Sequence, residues 1–121
     1  MRRIRGAGGL IDHLGTSDLR EVERRIDQGD DRAAFVLSAM SYQIAKDIAA
    51  LSAVVTGQVD QIILTGGGAH CQKLVDPIRE RVSWIAPVAV VPGAMEMEAL
   101  ARGVTRVLDG TEQAHIYEKE A

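Results

Sequence analysis

Aromatic side chains are scarce: they make up 3% of the 121 residues, with a single Trp and a single Phe. A core with so few rings has to be built from Ala, Val, Ile and Leu. Cysteine is rarer still. The lone Cys71 excludes an intrachain disulfide, and no Cys/His cluster has the spacing of a zinc site; an intracellular, reducing compartment fits this usage. Positive charge is not in excess. The formal charge of −3 gives no basic footprint, which argues against nucleic acid as the main partner. No stretch approaches the roughly 18 uninterrupted apolar residues of a membrane span. The basic start Met1-Arg2-Arg3-Ile4-Arg5-Gly6 has no apolar run behind it and does not read as a secretory signal. No internal repeat or low-complexity segment appears. Apolar content of 46% and charged content of 26% are ordinary for a globular domain, and the length predicts one domain or a piece of a larger one.

Residues 6–18 read as a Gly-rich loop anchored by Leu10, Ile11 and Leu14. Asp18 is placed to cap a helix, with Glu21 three residues on to complete a capping box; Gly29 ends that helix after about Gln28. Asp30 then caps a long helix over 31–55 whose apolar stripe is Val36, Met40, Ile44, Ile48, Leu51 and Val55. Ala is frequent around it, and Gly57 stops it. Ile62-Ile63-Leu64 is a continuous apolar run, as in a strand covered on both faces. Lys73 to Val82 predicts a helix with Leu74, Val75, Ile78 and Val82 inward, and Pro77 in it is tolerable only near the first turn. Val88 to Val91 forms a second short strand bounded by Pro87 and Pro92-Gly93. Met97, Leu100, Ala101, Val104, Val107 and Leu108 make the stripe of a last helix closed by Gly110, and the polar tail from Thr111 reads as loose. The class is α/β: helix-rich, with a short parallel strand–helix–strand unit and a right-handed crossover. Two short strands are too few for a stable parallel sheet covered on both faces, so the chain either oligomerises or is part of a larger α/β protein.

The segment from Ile62 through Thr65 into Gly66, Gly67, Gly68, Ala69 and His70 is where chemistry is most legible. A strand ends in glycines, whose backbone turns sharply and approaches a ligand closely, and the N–H groups opening the next helix suit an anion or a nucleotide edge. No Gly-Lys-Ser/Thr follows, so this is not a P-loop. Cys71 stands where a dinucleotide fingerprint needs a third small residue, so it is a poor match there too. A tight structural turn is the alternative. Glu96 and Glu98 open the last helix; such carboxylates either hold Mg²⁺ directly or through water, or simply favour the helix dipole. Asp18 and Arg20 suit a ribose hydroxyl and a stacked base, or equally a helix cap and a solvated arginine. His70 and Cys71 are helix neighbours that do not face each other. Cys71 reads as a small buried hydrophobe, and His70 as a lining residue. His13 and His115 carry no supporting pattern.

Several segments together resemble the C-terminal region of butyrate kinases. They are Gly8-Gly9-Leu10 through Leu14-Gly15-Thr16-Ser17-Asp18-Leu19-Arg20-Glu21-Val22-Glu23, Ala39 to Lys46, Ile63 to Ala69, Glu80 to Val88, and Pro92-Gly93 followed by Glu96 to Ala101. Order and spacing match over nearly the whole chain. The resemblance implies the superfamily of acetate and sugar kinases, heat-shock ATPases and actin, in which two ribonuclease-H-like lobes close on ATP and Mg²⁺. The chain would be the C-terminal part of one such actin-like ATPase lobe, a partial nucleotide-binding lobe over residues 1–121. Thr16-Ser17-Asp18-Leu19-Arg20 is similar to the nucleotide-holding segment of acetate kinases, which implies ribose and base roles for Asp18 and Arg20. The glycine turn, Gly66-Gly67-Gly68-Ala69-His70, is implied to contact adenosine, and Glu96 to lie near Mg²⁺. Two departures stand out. Ala94-Met95 replace residues that are usually acidic in butyrate kinases. Gly68 and His70-Cys71 replace a larger apolar residue and a pair that often holds Tyr or Arg, which alters the adenine side.

The resemblance further implies phosphoryl transfer between ATP and a short-chain carboxylate, in the cytoplasm. The lobe holding that carboxylate, with the Arg and His residues that stabilise the moving phosphoryl group, has no counterpart in these residues. Met1 falls inside what would be a continuous family domain. The expectation is therefore a C-terminal fragment, inactive alone, with adenine nucleotide as its own ligand and the carboxylate reached through the missing lobe. The alternative is a non-catalytic nucleotide-binding or oligomerising module, a homo-oligomer in which the long helix 31–55 packs against a second chain.

Overall fold

The computed structural model describes residues 8–93 and 96–114. Among these, the elements run α1 (Leu10–Leu14), α2 (Leu19–Asp27), α3 (Asp31–Ser52), a 3₁₀ turn (Ala53–Val55), β1 (Ile62–Gly66), a second 3₁₀ turn (Gly67–His70), α4 (Gln72–Val82), β2 (Val88–Pro92) and α5 (Glu96–Leu108). β1 and β2 pair in parallel, with Ile62 opposite Val88 and Gly66 opposite Pro92. The strand–helix–strand unit is thus present, and the α/β class with it.

The helix starts follow the caps. The Asp30 carboxylate accepts the Ala33 N–H at 2.9 Å and ties down an otherwise unpaired donor of α3. Asp18 caps α2 by accepting the Arg20 N–H at 3.0 Å. The capping box expected with Glu21 is not formed in full: the Asp18 N–H goes to the Thr16 hydroxyl, 3.2 Å away. The expected loop over 6–18 contains α1, a short helix that Gly15 closes in the left-handed region at φ 75°. Arg25 holds it in place. Its guanidinium donates to the Leu14 carbonyl at 2.9 Å while pairing with Asp30 at 2.7 Å, so one side chain joins the end of α1 to the cap of α3.

The core lies where α3 meets α4 and α2, with Val22, Leu37, Ile62, Leu74, Ile78 and Val82 at its centre. The row that α3 buries is not the predicted apolar stripe but its neighbour: Ala33, Leu37, Ser41 and Ala45. Three of these four are small, which lets α4 approach closely. The Ser41 hydroxyl, fully buried, is satisfied by the Ser38 carbonyl at 2.8 Å. Met40, Ile44 and Ile48 flank this seam half-buried, while Leu51 and Val55 are exposed. Pro77 sits beyond the first turn of α4, and the helix continues through it. The proline removes one backbone donor, yet Leu74, Val75, Ile78 and Val82 are all buried, so packing holds the helix across the gap.

Two outer surfaces lack cover. Ile62 is buried, but the next residue, Ile63, is 59% exposed, and Val91 is exposed as well. The sheet is therefore covered on one face, not on both as the apolar run predicted, because helices α3 and α4 lie on the same side. The apolar stripe of α5 (Met97, Leu100, Val104 and Leu108) is likewise exposed. The tail is not loose where it begins. The Thr111 hydroxyl donates to the Arg106 carbonyl at 3.1 Å, and Glu112 pairs with Arg106 at 2.7 Å. The basic start and the stretch from His115 lie outside the described residues.

Candidate functional site

The glycine segment folds as a strand end and a single 3₁₀ turn rather than as the start of a long helix. Gly66 has φ 80° and ψ −170°, a region essentially reserved for glycine. Gly67 and Gly68 have no such need. A Cβ at Gly67 would meet open space, and one at Gly68 would sit at ordinary contact distance, 3.5 Å from a Leu74 methyl. One glycine is thus dictated by the turn, while the other two leave a surface bare of side chains.

That bare surface forms one wall of a cleft of about 660 Å³. Opposite it stand Ser17, Asp18, Leu19 and Arg20 from the start of α2, with His70 at the end of the turn. Of the residues singled out from sequence, Asp18, Arg20, Gly67, Gly68 and His70 therefore meet around one space. Gly66 lies behind it as the last residue of β1. Ala69 does not line it and is buried. Glu96 opens α5, and its side chain falls outside the described residues. The cleft volume is within the roughly 300–1,000 Å³ of small-molecule sites.

Asp18 and Arg20 form a fork. Nε of Arg20 donates to Oδ1 of Asp18 at 3.0 Å, and Nη2 donates to Oδ2 at 2.8 Å. The Arg20 side chain donating to Asp18, and next its backbone N–H, hold the Asp18 carboxyl below the usual carboxylate range, so it is an ionised acceptor at neutral pH. The guanidinium, planar by its own delocalisation and oriented by the bidentate pairing, remains largely exposed at the rim. This is a geometry suited to hydroxyl recognition by the carboxylate and to stacking by the planar cation.

Contacts farther along α2 fix this wall against the glycine wall. Lys73, in the first turn of α4, pairs with Asp27 at 2.9 Å, and its backbone N–H points at Glu23 Oε1, 3.5 Å away. Glu23 thereby occupies the N-terminus of α4, and an anion there would meet two carboxylates. The anion role expected for the helix after the glycines is thus taken by the protein itself, which leaves the cleft suited to the uncharged part of a ligand. Cys71 is 2% exposed; burial first, and then the Glu23 carboxyl beside it, push its thiol up to about 11. A thiol held neutral in this way is no nucleophile, in line with its reading as a packing residue. Sequence reasoning missed Ser17 and Leu19 as lining residues, although their place beside Asp18 was a signal. It also missed Glu23, for which no local signal exists.

Among the described residues, no group of three or more His, Cys, Asp or Glu is arranged to hold a metal ion, and no helix is long and apolar enough to cross a membrane.

The chain is similar to known proteins over almost its whole length. Residues 4–85 match the model of the acetokinase family. The chain is 51% identical over 116 residues to a probable butyrate kinase 2 of Caldanaerobacter subterraneus subsp. tengcongensis, covering 96% of this chain and 33% of that protein. It is 50% identical over 116 residues to a probable butyrate kinase of Coprothermobacter proteolyticus, with the same coverage. It is 50% identical over 114 residues to a probable butyrate kinase of Enterococcus faecalis, covering 94% of this chain and 32% of that one. The chain spans about a third of the length of these curated relatives. With a family match over residues 4–85 and half-identical butyrate kinases along almost its entire length, the chain belongs to the acetokinase family.

Proposed function

We propose that this chain is the C-terminal nucleotide-binding part of a butyrate-kinase-like enzyme. Its reaction moves a phosphoryl group between ATP and a short-chain carboxylate, butyrate, to give an acyl phosphate in the cytoplasm. The observation that carries this reading is the meeting of Asp18 and Arg20 with Gly67 and Gly68 around one cleft. In it, the ionised Asp18 accepts hydrogen bonds from ribose hydroxyls, and the guanidinium of Arg20 lies against the adenine face. Gly67 and Gly68 let the nucleoside approach the backbone, Gly66 sets the turn, Ala69 packs behind, and His70 borders the pocket.

In this reading Mg²⁺ is carried on the nucleotide phosphates with one protein carboxylate. Glu96 is the residue we assign to it. When bound, Mg²⁺ neutralises charge on the phosphates. The uncovered outer face of the sheet supports placing the chain within a larger ribonuclease-H-like lobe, whose remainder supplies the missing layer. Phosphoryl transfer depends on positioning both reactants and stabilising charge at the moving group, and in this reading the acceptor side belongs to the remaining length seen in the relatives. The isolated chain is therefore inactive. Incubated with ATP, Mg²⁺, butyrate and hydroxylamine, it is expected to give no acyl hydroxamate; measurable turnover would overturn this assignment.

A further inference from the structure

A recess of about 250 Å³ lies on the seam between α3 and α4, lined by Tyr42, Ala45, Lys46, Ala49 and Arg81. It shares no lining residue with the nucleotide cleft. Its apolar part is made of the methyls of Ala45 and Ala49 and the ring of Tyr42, and Ala45 is buried. Its polar part is two cations. In a chain whose formal charge is −3, neither Lys46 nor Arg81 enters an ion pair among the described residues. Both are nevertheless held. The Lys46 ammonium sits over the ring of Tyr42, with Nζ 5.7 Å from its centroid. Nη1 of Arg81 donates to the Pro77 carbonyl at 2.9 Å, which leaves the other guanidinium nitrogens as free donors.

We propose that this recess binds a small carboxylate with a short apolar body. The carboxylate takes Lys46 and Arg81, and the alkyl chain lies on Ala45 and Ala49 beside the Tyr42 ring. Charge fixes the sign of the ligand, and the fork of Arg81 suits the two oxygens of a carboxylate. The methyl floor favours an anion that carries apolar surface over a bare one. A phosphate dianion fits less well. The floor belongs to the interior of α3, whose backbone N–H groups are spent within the helix, so few donors are left for its remaining oxygens. Arg81 also stands in the last turn of α4, where the negative end of the helix dipole opposes a second charge. The recess is smaller than the roughly 300–1,000 Å³ of sites for drug-sized ligands, which suits a body of a few carbons. It is a separate site from the acceptor position of the phosphoryl transfer, and it does not rest on the adenosine assignment.

The test is a titration of the full 121-residue chain with sodium butyrate at constant ionic strength, read by amide chemical shifts and by tryptophan fluorescence. The only tryptophan, Trp84, is a local reporter, because its Nε1 donates to the Arg81 carbonyl at 2.8 Å. Butyrate is expected to bind saturably in the millimolar range, with shifts centred on Tyr42–Ala49 and Arg81–Trp84. Acetate, which lacks most of the apolar body, and inorganic phosphate should each bind several-fold more weakly. n-Butylammonium, with the same body and the opposite charge, should leave these resonances unmoved. Lys46→Gln and Arg81→Gln change exposed side chains, so helical circular dichroism should be unaltered while each weakens butyrate binding several-fold. No saturable response to butyrate would overturn the proposal. So would affinity that both variants retain, a response that n-butylammonium reproduces, tighter binding of phosphate than of butyrate, or displacement of butyrate by ADP, which would put it in the nucleotide cleft.

Discussion

Gly66 and Gly93 exchange both of their backbone hydrogen bonds, Gly66 N–H to Gly93 O at 3.2 Å and Gly93 N–H to Gly66 O at 3.1 Å. The parallel register puts Pro92 opposite Gly66, and proline has no N–H to give. The chain turns instead at Gly93, with φ 89°, and supplies the donor one residue later. This clasp joins the C-terminal ends of the two strands directly behind the bare glycine surface. His70 closes over it, with Nε2 placed 3.7 Å from where a Cβ on Gly93 would sit.

Alanine at the three consecutive glycines should therefore have unequal effects. Gly66→Ala forces an L side chain into a region essentially reserved for glycine and is expected to cost roughly 1–3 kcal/mol. Gly67→Ala meets open space and Gly68→Ala only ordinary van der Waals contacts, so both should stay within about 0.5 kcal/mol of wild type. Denaturant unfolding of the three variants checks the order, and equal losses would contradict the turn geometry.

Cys71 makes stability depend on alkaline pH. Its folded thiol titrates at about 11, above the roughly 8.5 of an unfolded thiol. A value raised on folding means that the fold favours the neutral form. The contribution is thus complete below about pH 8.5 and is lost as pH rises towards the folded value, to a total of roughly 3 kcal/mol. Cys71→Ala should flatten that alkaline slope in thermal or urea unfolding. A slope unchanged by the substitution would show that another group is responsible.

Asp30 acts at the acid end. The Ala33 N–H, and after it the Arg25 side chain, hold its carboxyl below the ordinary value. Its stabilising effect is therefore present above the unfolded carboxylate range and lost as pH falls through the folded one. Arg25→Ala should lower the melting temperature at neutral pH by undoing both the Asp30 pair and the Leu14 tie. Because the change frees the end of α1, amide exchange should rise at Leu10–Leu14 more than in α4. Uniform protection across both helices would argue against Arg25 as the link.

Much of this arrangement was legible in local signals. Asp18 and Asp30 marked helix starts because an N-cap is a short-range device, and the glycines after Ile62–Leu64 marked a strand end because few residues tolerate such a turn. What escaped was decided by packing. Ser41 is polar on any scale, so the α3 row containing it did not read as buried, yet its smallness is what admits α4. The apolar run at Ile62-Ile63-Leu64 read as two-sided because hydrophobicity says a residue needs cover, not which element supplies it. The juxtaposition of Asp18 and Arg20 with Gly67 and Gly68 is made by contacts between distant segments, Val22 packing in one core with Leu74 and Asp27 and Glu23 reaching Lys73, which leave no local trace. Residue patterns alone left Asp18 as a helix cap; the resemblance to butyrate kinases pointed to its place at the cleft.

The most direct test of the adenosine assignment is an amide chemical-shift map of the isolated chain titrated with ADP, for wild type, Asp18→Ala and Arg20→Ala. The wild type should respond weakly, with shifts confined to Ser17–Arg20 and Gly67–His70 and reduced several-fold in either variant. Shifts centred on the N-terminus of α4, or a response that both variants leave unchanged, would contradict the site.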